Sequence, residues 1–137
     1  MKRKHVTSFR GTEQDGYPLL ETPYQMSFIA VAGINSSALA SLERIATELV
    51  EPVKYKIRTI FKIGLLHNHD SLALGALGCG AFLNPPSHIT RLYHEVMDEK
   101  EFKNKYHPLL FAIPDDYNAR LKHNPDGNYL PFMREFS

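Results

Sequence analysis

The chain has 137 residues, 43% of them hydrophobic, and a formal net charge of +1. This fits one domain with a core, and the mixed charge offers no electrostatic footprint for direct nucleic-acid binding. A single cysteine excludes an internal disulfide and no run approaches the ~20 apolar residues of a membrane span, so no membrane association and a cytoplasmic or nuclear location are expected.

Residues 1–5 form a basic tip without the apolar stretch of a secretory signal. Residues 6–25 are rich in turn formers (Gly11, Gly16, Pro18, Pro23) and read as loop apart from an extended piece over 6–9, with residues 1–16 loosely ordered. Residues 27–32 are β-branched and aromatic enough for a buried strand, closed by Gly33 and Asn35. Asn35 or Ser36 can then cap a helix over 37–50, in which Leu39, Leu42, Ile45, Ala46 and Leu49 recur at helical spacing. Pro52 either kinks this helix or starts a second one, whose apolar positions Ile57, Ile60, Phe61 and Leu65 run to about Leu66. A strand over 71–77, a helix over 86–98 and a strand over 109–113 complete the pattern. Such alternation implies parallel strands with right-handed crossovers.

The stretch 72–86, LALGALGCGAFLNPP, organises the rest. It reads as strand, glycine loop and helix start, with Asn84 as N-cap and prolines in the first turn. Two readings follow from residue types alone. One is an anion cradle of backbone N–H groups at a helix N-terminus, which glycines allow a ligand to approach closely. The other is a tight turn that needs glycine for φ > 0 and binds nothing. Because ligands in parallel sheets sit beyond the carboxyl ends of the strands, this loop, Gly33–Asn35 and Pro114–Asn118 should converge on one crevice.

Cys79 admits a nucleophile reading, since a helix N-terminus lowers a thiol pKa, and a reading as a small buried residue beside a turn. His67, His69 and Asp70 read as a polar helix end rather than a metal site, so no metal or cofactor is called for. Asp98 and Glu99 end a surface helix; Asp115 and Asp116 lie on the presumed ligand side and keep a claim as acids. Phe82 is either core or a wall against which a ring stacks.

GALGCGAFLNPP (75–86), together with PYQMSFIAVAGIN (23–35), KIRTIFKIGLLHNHDSLAL (56–74), LLFAIPDD (109–116) and HNPDGNYLPF (123–132), resembles the microbial-type poly(ADP-ribose) glycohydrolases, a macrodomain-like family. The likeness is to the C-terminal half of that family over residues 17–136. The family's catalytic signature, a glycine triplet followed by Gln-Glu-Glu, does not occur in this sequence. The resemblance implies one macrodomain-like domain over 1–137, a three-layer α/β/α fold with a mostly parallel sheet, complete or truncated. It implies binding of ADP-ribose, a related nucleotide diphosphate or an ADP-ribosylated protein through Gly75, Gly78, Cys79, Gly80, Ala81, Phe82, Asn84, Asn35 and Tyr117. In that picture Phe82 packs near the ribose and Tyr117 stacks on adenine; an exposed loop tyrosine is the other reading of Tyr117. Without the glutamate segment, no catalytic residue is assigned and efficient hydrolysis is not expected. An active hydrolase drawing its acid from Asp115, Asp116 or a partner chain, and an interaction module without a ligand, are the alternatives. Few strands leave open sheet edges, so a homodimer or a partner chain completing the sheet is expected.

Overall fold

A computed structural model describes residues 2–35 and 39–137, and of residues 2–5 the backbone alone. The chain divides into two compact units, Met1–Val31 and Ala32–Ser137.

The first unit is a hairpin. Strand β1 (Lys2–Arg10) pairs antiparallel with β2 (Leu19–Ile29), with Val6 opposite Met26 and Arg10 opposite Leu19. A built turn joins them: Gly11 N–H donates to Pro18 O (2.8 Å), Tyr17 N–H to Thr12 O (2.9 Å), and Gly16 takes a left-handed φ of 74°. Pro23 falls where the register shifts between Arg10–Leu19 and Ser8–Tyr24, a place where a missing N–H costs no ladder bond. Over residues 2–16, expected to be loosely ordered, the structure describes a paired strand and a turn. The buried parallel strand expected over 27–32 is the end of a longer antiparallel one whose Phe28 is exposed. The glycines and prolines that suggested loop sit in the hairpin turn and its irregularity, and leave the β-branched and aromatic runs on either side free to pair.

In the second unit, β3 (Leu39–Ser41) and β4 (Arg44–Ile45) form a small antiparallel hairpin, and α1 (Thr47–Leu66) follows. This corrects the helix expected over 37–50 for residues 39–46, while 47–50 are helical as expected; residues 36–38, including the proposed cap Ser36, lie outside the described residues. Asn35 is exposed. The competing interaction is tertiary: Ile45 is buried and its N–H donates to His88 Nδ1 (3.1 Å), a bond that holds this segment extended. The helix runs through Pro52 and buries Val53, Ile57, Ile60, Phe61 and Gly64. Phe102 and Tyr106 pack on Phe61 with ring centroids 5.4 Å apart in each pair, and the Tyr106 hydroxyl donates to Phe61 O. Gly64 is required there, since a Cβ would collide with the Tyr106 hydroxyl.

Strand β5 (Leu72–Leu74) pairs parallel with β6 (Leu109–Phe111), shorter than the 71–77 and 109–113 expected. Helix α2 (Pro86–Met97) buries Ile89, Leu92, Tyr93 and Val96, close to expectation. Helix α3 (Tyr129–Phe136) was not foreseen; its Phe132 and Phe136 join Tyr93 and Phe111 in an aromatic cluster with centroids 4.6–6.4 Å apart. The fold is thus mixed α/β; among the described residues there are three two-stranded sheets, of which only β5–β6 is parallel. Among the described residues no helix is long and apolar enough to cross a membrane.

Candidate functional site

Ladder pairing ends just beyond Leu74 and Phe111, where Ala112 N–H donates to Leu74 O (2.8 Å). The glycine loop starts there. Gly75 O accepts from the buried Tyr93 hydroxyl (3.3 Å), anchoring the loop's first residue to α2. Segment 33–35 lies directly against the loop: a Cβ on Gly33 would stand 2.8 Å from Gly78 Cα and 3.3 Å from the Phe82 ring. Gly78 needs glycine for two reasons, its φ of +77° and the collision of any Cβ with the Asn84 amide. Gly80, by contrast, has neither a positive φ nor a close neighbour; Asn118, the nearest, would be 3.7 Å from its Cβ. The positive φ foreseen for the turn is therefore used at Gly78 and not at Gly80.

Asn84 is 1% exposed and does not act as an N-cap; Pro85 holds that position and no side chain caps α2. Its Nδ2 donates instead to Ile34 O (2.8 Å) and Gly78 O (2.9 Å), and its own N–H also reaches Gly78 O (3.0 Å). Two prolines already satisfy the helix start by lacking N–H groups, which frees the amide to tie segment 33–35 to the loop. Asn84 Oδ1 is buried without a partner among the described residues.

The turn is wound so that its carbonyls face the protein. Cys79 O accepts from His123 Nε2 (2.8 Å), and Gly80 O accepts from Leu83 N–H (2.9 Å). In a trans peptide the following N–H lies on the opposite side, so the N–H groups of Gly80 and Ala81 are directed away from these anchors. Among the described residues, the N–H groups of Gly80, Ala81 and Phe82 donate to no protein acceptor, while Cys79 N–H is spent on Ala76 O (3.1 Å). Leu83 closes the turn in the left-handed region, at φ 58°, an arrangement that costs a branched residue roughly 1–2 kcal/mol. Ala81 is exposed and Phe82 is 38% exposed, so the ring is available as a wall beside these amides.

Cys79 is 0% exposed, and burial pushes its thiol well above the ordinary range. This overturns the lowered pKa expected at a helix N-terminus: α2 begins seven residues later, and an apolar enclosure disfavours the thiolate. Tyr117 is 89% exposed. The acidic pair of the third segment is committed to the backbone. Asp115 Oδ1 accepts from Asn128 N–H (2.7 Å) and Tyr129 N–H (3.1 Å) at the start of α3. Asp116 Oδ1 accepts from Asn118 N–H (2.9 Å) in an Asx turn. Glu99, just past the end of α2, receives Arg58 Nε on both oxygens (2.9 Å each), and this guanidinium holds its carboxyl below the usual range. His67 and Asn68 close the C-terminus of α1 as a polar end.

Sequence reasoning did not single out Asn118, His123 and Asn124. Asn124 Nδ2 reaches Asn118 O (2.9 Å) and Asn128 Oδ1 (2.7 Å), and Leu121 N–H returns to Asn124 Oδ1 (2.7 Å). The signal available in the sequence was HNPDGN at 123–128, whose two asparagines and histidine are buried in an otherwise polar loop.

No family model and no curated protein sequence matches the chain. Solved structures do. The poly(ADP-ribose) glycohydrolase of Thermomonospora curvata is 26% identical, with a TM-score of 0.78 over 98% of this chain and 46% of that one. The poly(ADP-ribose) glycohydrolase of Deinococcus radiodurans in complex with ADP-ribose is 24% identical, with a TM-score of 0.77 over 98% of this chain and 50% of that one. A second crystal form of that complex gives 25% identity and a TM-score of 0.76. The chain spans about half the length of these proteins and shares the fold of that half of a bacterial poly(ADP-ribose) glycohydrolase.

Proposed function

We propose that this chain binds ADP-ribose, or a related nucleoside diphosphate, on the loop 78–82. The observation that carries the reading is the run of three consecutive N–H groups, Gly80, Ala81 and Phe82, without protein acceptors. Successive backbone donors of this kind form a concave site for an anion, and a diphosphate can engage several of them together. The absence of a Cβ at Gly80 allows the close approach, Phe82 walls the neighbouring ribose, and Tyr117 is free to stack on the base. The solved structures of similar fold that hold ADP-ribose support this ligand class.

The same reading makes the chain a binder rather than an efficient hydrolase. Asp115 and Asp116 serve backbone N–H groups, and the glycine-triplet and Gln-Glu-Glu signature does not occur in this sequence. Parallel strands are normally covered on both faces, whereas Ala73 and Leu110 on β5–β6 are exposed. A polypeptide completing a three-layer sheet, from a partner chain or a second copy, belongs to this proposal. Calorimetry with ADP-ribose, ADP and AMP tests the central part. One-to-one binding of ADP-ribose and ADP, with AMP weaker, is expected; no heat with any of them at millimolar concentration would remove the ligand reading in favour of an interaction module.

A further inference from the structure

His123 is only 6% exposed and lies 44 residues from the loop in sequence, yet its Nε2 sits 2.8 Å from Cys79 O. A carbonyl oxygen accepts only, so Nε2 carries the proton and Nδ1 is the bare nitrogen of the neutral ring. Cys79 C=O and Gly80 N–H belong to one peptide unit. A donor on the carbonyl fixes the plane of that unit and polarises it, which strengthens the N–H on its far side. We propose that His123 is a positioning residue for anion binding, holding and polarising the Cys79–Gly80 peptide so that Gly80 N–H is aimed at the ligand.

A second observation gives the ring a route to solvent. It lines a cavity of about 360 Å³ between the start of α2 and the loop that carries it. The charged groups around that cavity are Glu43 from the β3–β4 turn, Arg91 from α2, and Lys122 and Asp126 from the loop, with Asp126 paired to Arg134 of α3 (2.7 Å).

The affinity part of this inference rests on the ligand reading above; the coupling itself is read on the ligand-free protein. In ¹⁵N-labelled wild type, the His123 ring nitrogens are expected to show the proton on Nε2. His123→Phe, which keeps a ring without the donor, should shift the Gly80 amide upfield and weaken ADP binding about three- to tenfold. His123→Gln, whose amide can donate to Cys79 O, should restore most of both. A Gly80 resonance that does not follow the substitutions would overturn the proposal. So would imidazole nitrogen shifts showing the proton on Nδ1. If H123F does not fold, the wild-type ring nitrogen shifts and H123Q still decide it. Coupling at Gly80 without any ADP binding would refute the ligand reading and the affinity part of this inference with it, leaving only the hold of His123 on the Cys79–Gly80 peptide.

Discussion

Replacing Asn84 by alanine removes the amide that ties segment 33–35 to the glycine loop. Two side-chain hydrogen bonds disappear, to Ile34 O and to Gly78 O, each contributing about 1 kcal/mol net. Gly78 O keeps the backbone N–H of residue 84, but Ile34 O, half-buried, is left with water as its only replacement. Deleting the orphan Oδ1 returns part of the loss, since an unpaired buried acceptor itself costs about 1–3 kcal/mol. The expected net destabilisation is about 1 kcal/mol, enough to lower a urea midpoint by roughly 0.5 M for a domain of this size. Asn84→Asp is the control: a carboxylate has no donor and would face two carbonyl oxygens, so it should be worse than alanine. Urea unfolding followed by circular dichroism gives both values. A loss below about 0.5 kcal/mol for N84A, or an aspartate variant as stable as wild type, would refute the tie.

Gly80→Val should leave the unfolding midpoint almost unchanged, because its Cβ meets only ordinary contacts, while lowering ADP-ribose affinity tenfold or more in calorimetry. Gly64→Ala should destabilise by about 1–3 kcal/mol in urea unfolding although alanine is the better helix former, because the Tyr106 hydroxyl occupies the space of a Cβ. His88 is buried as the neutral acceptor of Ile45 N–H, and burial lowers its pKa from 6.5. The unfolded chain then binds the proton first, so stability is fully present above pH 6.5 and falls as pH drops below it, by up to about 1.4 kcal/mol per pH unit; His88→Gln should flatten that slope in urea midpoints measured from pH 5 to 8 (roughly the range of histidine titration). Purified chain incubated with labelled ADP-ribose polymer should release little or nothing; turnover that vanishes in Asp115→Asn or Asp116→Asn would contradict the assignment of those carboxylates to the backbone.

What could be read in the sequence was local. The prolines 85 and 86 and the spacing of Ile89, Leu92, Tyr93 and Val96 specify α2 almost to the residue, and the apolar runs on either side of it give β5 and β6. The loop itself was visible through its glycines. What escaped depends on distant partners. Leu39, Leu42, Ile45, Ala46 and Leu49 have helical spacing, and only the bond from Ile45 to His88, 43 residues on, shows why the first of them form a hairpin instead. The turn chemistry of residues 11–18 was mistaken for a loop because glycines and prolines mark both. Asn84 looks like a cap from its neighbours and becomes a tie only when Ile34 is beside it. The same holds for His123, whose significance lies in a carbonyl 44 residues earlier. Asp115 and Asp116, candidates as acids by position, turned out to be spent on the backbone at α3 and its preceding turn.

The central claim is that the free N–H groups of Gly80, Ala81 and Phe82 hold a diphosphate. Titrating the ¹⁵N-labelled chain with ADP-ribose while following its amide resonances tests it most directly. Saturable shifts with one-to-one stoichiometry, largest at Gly80, Ala81 and Phe82 and small at Cys79, whose N–H is already bonded to Ala76 O, are the predicted result. Resonances of these three residues that stay fixed at millimolar ligand, or shifts centred on another part of the chain, would contradict it.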